Sequence, residues 1–245
     1  MSKKYSIKRK ATKTPLEACF PEIQPAGSWE IPRKIFHYSI GFCVYYLYNS
    51  GYDTTDIYPS LTAGFAVVVT AEVLRFSFDW FNRIYCKLLG PLMRKTEVST
   101  RLNGVVYYLA GCVIVLWAFP KDIASLSIIY LSWTDPTASI CGRLWGNKTP
   151  RYGNKSLAGT LGAVVTGSLV TYGFFGPFGL AGGSPSFDNR LSSIGLPLLS
   201  VYGGLVAGLS EGIGGVLGVD DNLTIPVLSG IFLWVPLVGL GLGRS

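Results

Sequence analysis

Charge is what this chain has least of. Only 14% of its 245 residues are Asp, Glu, Lys or Arg, against about 25% in a soluble domain. Hydrophobic residues make up 49%, and the mean hydropathy is +0.38. The deficit argues against an ordinary water-soluble enzyme. Histidine occurs once, at His37. Five cysteines (Cys19, Cys43, Cys86, Cys112 and Cys141) are scattered without a CxxC pair or metal-ligand spacing, so cysteine chemistry has no support. No GxxxxGK[ST] loop and no GxGxxG with HRD set is present, which excludes the common nucleotide-binding signatures. There is no repeat of 20–50 residues and no low-complexity tract. The basic start lacks a following apolar region with a small-residue cleavage site, so it is no secretory signal.

Apolar length is what the chain does have. Seven segments are predicted, at about Ile35–Ser50, Ile57–Phe76, Leu102–Phe119, Ile123–Trp133 with a continuation to Trp145, Leu157–Phe178, Ile194–Val219 and Thr224–Leu242. About 20 apolar residues cross the hydrocarbon as a helix. The expected fold is therefore all-α, a polytopic transmembrane helix bundle of about seven spans. Pro32 can open the first helix. Thr134-Asp135-Pro136 interrupts the fourth segment, so a broken helix is expected at Asp135-Pro136, with its open backbone facing protein or a wet cavity. The 30 glycines fit close helix packing in lipid, and Gly204, Gly208 and Gly212 form a four-residue ridge in the sixth segment.

Basic residues set the orientation. Lys3, Lys4, Lys8, Arg9, Lys10 and Lys13 stand at the start with no acidic neighbour. In a membrane protein such a run belongs to a cytoplasmic tail near anionic headgroups, rather than to a nucleic-acid site. Residues 1–30 are expected to be this basic, flexible tail, and residues 31–245 the membrane domain. The connections at Ser77–Arg101 and after Trp145 are also basic, whereas Gly51–Asp56 has no lysine or arginine, the Pro120 turn has Lys121 alone and Gly179–Ser193 has only Arg190. The alternation puts the amino terminus in the cytoplasm. The sequons at Asn147, Asn154 and Asn222 then face the cytoplasm and should stay unmodified.

This threading gathers the costly residues at one face. Ionisable groups in spans cost about 2.5–3.5 kcal/mol each on insertion scales, so they are functional candidates. Asp135 is the strongest. Glu211 lies in the second half of the sixth segment. Asp220 and Asp221 follow it, either as a solvated loop end or as a divalent-cation site. Glu72 and Arg75, at i and i+3, are candidates too, or a structural pair. His37 alone carries little. The stretch from Cys141 to Gly162 holds four basic residues, five glycines and no acid. Its glycines and the helix start at Lys155-Ser156 suit an anion, phosphate above all. Carboxylates facing a basic anion site are the parts that phosphoryl transfer needs.

The ordered set Arg33-Lys34-Ile35-Phe36-His37, Glu72-Val73-Leu74-Arg75, Ser132 to Arg143, Lys155-Ser156-Leu157-Ala158-Gly159 and Glu211 followed by Asp220-Asp221-Asn222 resembles the CTP-using lipid kinases. That family includes dolichol kinase, phytol kinase and the fungal CTP-dependent diacylglycerol kinase. The basic tail and short length look most like the last. The resemblance implies transfer of the γ-phosphate of CTP to diacylglycerol, with Mg²⁺ or Ca²⁺, at the endoplasmic reticulum and nuclear envelope. It also implies importance for Arg33, Lys34, Asp135 and Gly142. The choice of CTP rests on it alone. In the expected site Asp135, helped by Asp220 or Asp221, holds the ion. Arg143, Lys155, Ser156 and the Gly142 and Gly159 backbone hold the triphosphate. Arg33 and Lys34 stand at the lipid–water boundary, and Glu211 is a second base or ligand. A kinase of another lipid alcohol, a CDP-diacylglycerol-type cytidylyltransferase and, less favoured, a transporter remain the alternatives.

Overall fold

A computed structural model describes residues 23–24, 27–179 and 184–244. The elements are α1 (Ile31–Asn49), α2 (Thr54–Ser77), α3 (Asp79–Leu89), α4 (Gly104–Ala118), α5 (Lys121–Trp145), the strands β1 (Arg151–Tyr152) and β2 (Lys155–Ser156), α6 (Leu157–Phe175), α7 (Leu196–Leu217) and α8 (Asp221–Trp234). Seven of the eight α-helices among the described residues overlap the seven predicted segments, though fewer than seven meet the length and hydropathy of a span. Pro32 does stand in the first turn of α1. Among the described residues four helices are long and apolar enough to cross a membrane, α2, α6, α7 and α8 with its π-helical continuation to Gly239, and α4 is a shorter apolar helix. Their outward residues are apolar: Val67 is 69% exposed, Leu169 68% and Leu209 56%. Such surface is stable against lipid and not against water. The chain is thus a helical membrane protein.

α5 is the central helix, packed by α1, α4, α6 and α8. Ile123, Leu126, Ile129 and Leu131 are fully buried in it. The expected break at Asp135-Pro136 is not there, for α5 runs unbroken from Lys121 to Trp145 with Pro136 inside. The proline removes one N–H and crowds one carbonyl. That local loss is contained because α5 is clasped on several sides. It also carries Ser132, Thr134 and Thr137, whose hydroxyls donate to the carbonyls of Ile128, Tyr130 and Trp133. Hydroxyl back-bonding of this kind makes proline tolerable in membrane helices.

Neighbouring helices alternate in direction. Tyr38 Oη is hydrogen bonded to Thr137 Oγ1 at 2.7 Å, while Lys121 Nζ lies 5.1 Å from the Tyr48 ring, so α1 and α5 are antiparallel. Tyr202 Oη donates to the Phe232 carbonyl and Ser229 bonds Ser210, so α7 and α8 are antiparallel too. The α6–α7 pair is close because Gly208 leaves room: a Cβ there would stand 2.5 Å from Val164 Cγ2. The starts of α1, α4, α6 and α8 therefore meet the ends of α2, α5 and α7 at one end of the bundle.

That end is shaped by the connection between α2 and α4. Glu72 and Arg75 form a buried bidentate pair at 2.6 and 2.7 Å. Arg75 also donates to the carbonyls of Glu97, Val98 and Arg101, and Glu72 accepts from the Asn103 N–H. The pair is a structural staple. α3 turns Asn82, Tyr85 and Cys86 inward and leaves Trp80, Ile84 and Leu88 exposed. Part of the expected flexible tail is folded onto this region: Ile23 is buried with Tyr85, Cys86, Met93 and Val98, and the Gln24 N–H donates to the Met93 carbonyl. A short ordered anchor thus precedes α1, since burying Ile23 offsets the cost of fixing the backbone. Residues 1–22, with the basic run, lie outside the described residues.

Candidate active site

All the expected site residues but Asp220 meet at the end just described, around a cavity of about 390 Å³. α1 contributes Arg33, Lys34 and His37, and α5 contributes Asp135, Gly142 and Arg143. Lys155, Ser156 and Gly159 come from β2 and α6, Glu211 from α7, and Asp221 from α8. Arg94, Arg151, Glu30 and Asn154 are further polar residues of the wall. Six cationic and four anionic side chains line it, which leaves a positive balance suited to a polyanion.

A two-residue hairpin places Lys155. Tyr152 pairs with Lys155 across Gly153-Asn154, and Gly153 takes φ +57°, the left-handed conformation that such a loop asks of its first residue. Lys155 Nζ then reaches Glu211 Oε1 at 2.7 Å and Asp221 Oδ2 at 2.8 Å, tying β2, α7 and α8 together. Thr160 Oγ1 donates to the other Glu211 oxygen. Burial disfavours the ammonium, but Asp221 and Glu211 outweigh it and hold the Lys155 pKa above the usual lysine range.

Asp135 is placed differently. Of the four cavity carboxylates, Glu30 pairs with Arg94, and Glu211 and Asp221 pair with Lys155. Asp135 meets neither lysine nor arginine at ion-pair distance among the described residues. Its Oδ2 lies 3.9 Å from His37 Nδ1, and its side chain is 28% exposed to the cavity. Among the described residues the buried His37 Nδ1 has no hydrogen-bond partner, and the Tyr108 ring packs edge-on against the imidazole at 5.3 Å. The cations are held by the chain as well. Arg33 pairs with Glu97 at 3.3 Å, Lys34 donates to the Trp29 carbonyl, and Arg143 donates to the Gly27 carbonyl while lying over the Trp29 ring.

The expected backbone cradle at Gly142 and Gly159 takes another form. The first three N–H groups of α6 are already used: Leu157 donates to the Pro150 carbonyl, Ala158 to Thr149 Oγ1, and Gly159 to Ser156 Oγ. Ser156 is the helix cap. Gly142 lies inside α5. Both glycines serve contact between α5 and α6, since a Cβ on Gly159 would stand 2.9 Å from the Ala138 carbonyl oxygen. The groups in the cavity wall that could meet an anion are therefore the cationic side chains. Asp220 caps α8 by accepting from the Asn222 N–H and does not line the cavity. Glu30, Arg94 and Glu97 escaped the sequence reading. Arg94 counted there only as a basic loop residue, no spacing ties Glu30 or Glu97 to the rest, and Arg151 counted only as one of the four basic residues of the stretch suited to an anion.

A divalent cation fits this donor set in one way. Among the described residues no three His, Cys, Asp or Glu side chains form a metal site by themselves. Asp135 and Asp221 share the cavity wall. Mg²⁺ is commonly bound by one or two carboxylates together with substrate phosphates. Two carboxylates in a cavity of positive balance match that pattern, and an all-protein cage does not.

No protein-family profile matches the chain, and no solved structure does. Among curated proteins it is 42% identical to CTP-dependent diacylglycerol kinase 1 of Schizosaccharomyces pombe over 207 residues, covering 84% of this chain and 93% of that protein. It is 45% identical to the Eremothecium gossypii protein of the same name over 211 residues, 83% of this chain and 66% of the relative. The Saccharomyces cerevisiae counterpart is 40% identical over 211 residues, 83% and 72% of the two chains.

Proposed function

This chain belongs to the family of CTP-dependent diacylglycerol kinases, and from that premise we propose that it transfers the γ-phosphate of CTP to the free hydroxyl of diacylglycerol, giving phosphatidate and CDP. One observation supports the reading above others. A polar cavity of positive balance, holding one carboxylate that meets no lysine or arginine among the described residues, lies at one end of an apolar helix bundle. A water-borne nucleotide and a bilayer-borne alcohol can meet there.

In this reading Arg33, Lys34, Arg94, Arg143 and Arg151 take up the triphosphate and the charge that develops on it during transfer. The acceptor O–H bond breaks as its oxygen bonds the γ-phosphorus, the bond from that phosphorus to the bridging oxygen breaks, and CDP departs with that electron pair. The hydroxyl proton goes to a cavity carboxylate, for which Asp135 is best placed and Glu211 second. Asp135 and Asp221 would hold Mg²⁺ or Ca²⁺, which when bound supplies positive charge to the phosphate oxygens. Lys155 fixes Glu211 and Asp221 in place and adds positive charge beside the phosphates. Asp220 supports α8 as its cap.

Seven crossings, with the amino terminus and the cavity on the cytoplasmic side, fit the basic connections at the site end. The endoplasmic reticulum and nuclear envelope are the proposed location, on the resemblance alone. The test is incubation of purified protein with γ-labelled CTP or ATP and with diacylglycerol, dolichol or phytol. Label in phosphatidate with release of CDP is expected. Label released as pyrophosphate indicates a cytidylyltransferase, and label in another lipid phosphate changes the acceptor.

A further inference from the structure

A second cavity, of about 290 Å³, adjoins the first and shares Arg33 and His37 with it. α1 packs on α5, and α2 packs on α4, so a cleft remains between α1 and α2. Its walls are hydrocarbon, including Ile40 and Val44 from α1, Leu61 from α2, Leu109 from α4 and Ile128 from α5. It follows α1 from His37 to Tyr48, about 16 Å of helix. Phe36, at 44% exposure, and the exposed Cys43 also line it, so the cleft reaches the outer face of the bundle at the depth of the apolar segments.

We infer that this cleft holds an acyl chain of the lipid acceptor and admits it sideways from the bilayer, with the glycerol hydroxyl passing Arg33 and His37 to reach Asp135. The inference rests on the kinase reading above. An apolar cleft that ends at two residues of the polar cavity gives a two-part molecule one continuous site. The chain lies in hydrocarbon, and the hydroxyl emerges beside the unpaired His37 Nδ1, 3.9 Å from the Asp135 carboxylate. A third cavity, between α1, α5 and α6, is also apolar and is lined by Phe42, Trp133 and Leu169 among others. It shares no residue with the polar cavity, so a chain lodged there has no such outlet.

The test uses the whole protein in lipid nanodiscs and a diacylglycerol carrying a diazirine midway along one acyl chain. Photolabelling is expected on α1, α2 or α4 beside Val44, Leu61 and Leu109, and unlabelled dioleoylglycerol should compete for it. Leu61→Trp fills the cleft. It is expected to raise the KM for dioleoylglycerol about tenfold while leaving the KM for CTP unchanged, as overfilling a fitted apolar pocket does. Leu169→Trp, in the other cleft, should alter neither. Labelling confined to α6 or beside Phe42, no competable labelling, or a dioleoylglycerol effect from Leu169→Trp alone overturns the inference. If Leu61→Trp does not fold, the wild-type labelling decides. Cleft labelling in a protein that phosphorylates no diacylglycerol would sink the kinase reading and leave the cleft as a lipid site. An active kinase labelled elsewhere would sink the cleft alone.

Discussion

Replacing Lys155 by methionine removes the cation that, among the described residues, holds Glu211 and Asp221 together. The ammonium gives up two charge-assisted hydrogen bonds, at 2.7 and 2.8 Å. Such bonds contribute about 1.5–3 kcal/mol each when intact. The two carboxylates differ in what they lose. The Glu211 side chain is 6% exposed and is left as a nearly buried, uncompensated charge, whereas that of Asp221 is 31% exposed and regains water. Discounting the Asp221 half for solvent screening, the loss is about 2–4 kcal/mol. For a chain of this size that is a fall in melting temperature of about 5–15 °C. A thiol-reactive dye reports the melt, because Cys86 and Cys112 are buried and react once the bundle opens. Glu211→Gln added to Lys155→Met removes the stranded charge, so the double variant should recover most of the loss, with a non-additive cycle. The pH dependence has a definite sign. The folded Lys155 pKa lies above the unfolded value of about 10.4. Its stabilisation is therefore full below that pH and fades only as pH rises through the higher folded value. A single variant that melts with wild type, and a double variant no better than the single, would refute the clamp.

Three further outcomes are expected. Gly159→Ala pushes a methyl against the Ala138 carbonyl and should separate α5 from α6, costing about 1–3 kcal/mol and most of the transfer activity, read by melting and by phosphatidate formed. Arg75→Leu leaves Glu72 buried without its partner and frees three carbonyls of the α3–α4 connection, so about 3–5 kcal/mol of stability should be lost. Glu72→Ala with Arg75→Leu should be milder. Asn147 and Asn154 are exposed at the site end, so their lack of sugar in cells, seen as unchanged mobility after glycosidase, checks the cytoplasmic placement. Asn222 tests nothing, being buried with its amide on the Gly104 carbonyl.

The helices that bury or span were legible because an apolar run of membrane length has few other readings. α3 was not. It presents polar and aromatic residues to the protein and apolar Trp80, Ile84 and Leu88 outward, which defeats a search for long apolar runs. The meeting of Asp135, Lys155, Glu211 and Asp221 followed from counting crossings, since alternation sends all four to one end. Their pairing did not follow, because which carboxylate Lys155 reaches depends on a hairpin only two residues wide. Pro136 read as a break since its missing N–H is visible in sequence, whereas the hydroxyls and neighbours that offset it act across turns and helices. The glycine-rich stretch read as a phosphate cradle since glycine suits both anion binding and close helix contact. Thr149, Pro150 and Ser156 had already taken the N–H groups of α6.

The most direct measurement is phosphate transfer from γ-labelled CTP to diacylglycerol by purified wild type and Asp135→Asn, each shown to be folded by its thiol-dye melt. The substitution keeps size and hydrogen-bonding reach and removes the charge. Turnover should fall by about a hundredfold or more with the melting temperature unchanged. A folded Asp135→Asn that transfers phosphate at the wild-type rate would contradict a reaction centred on that carboxylate.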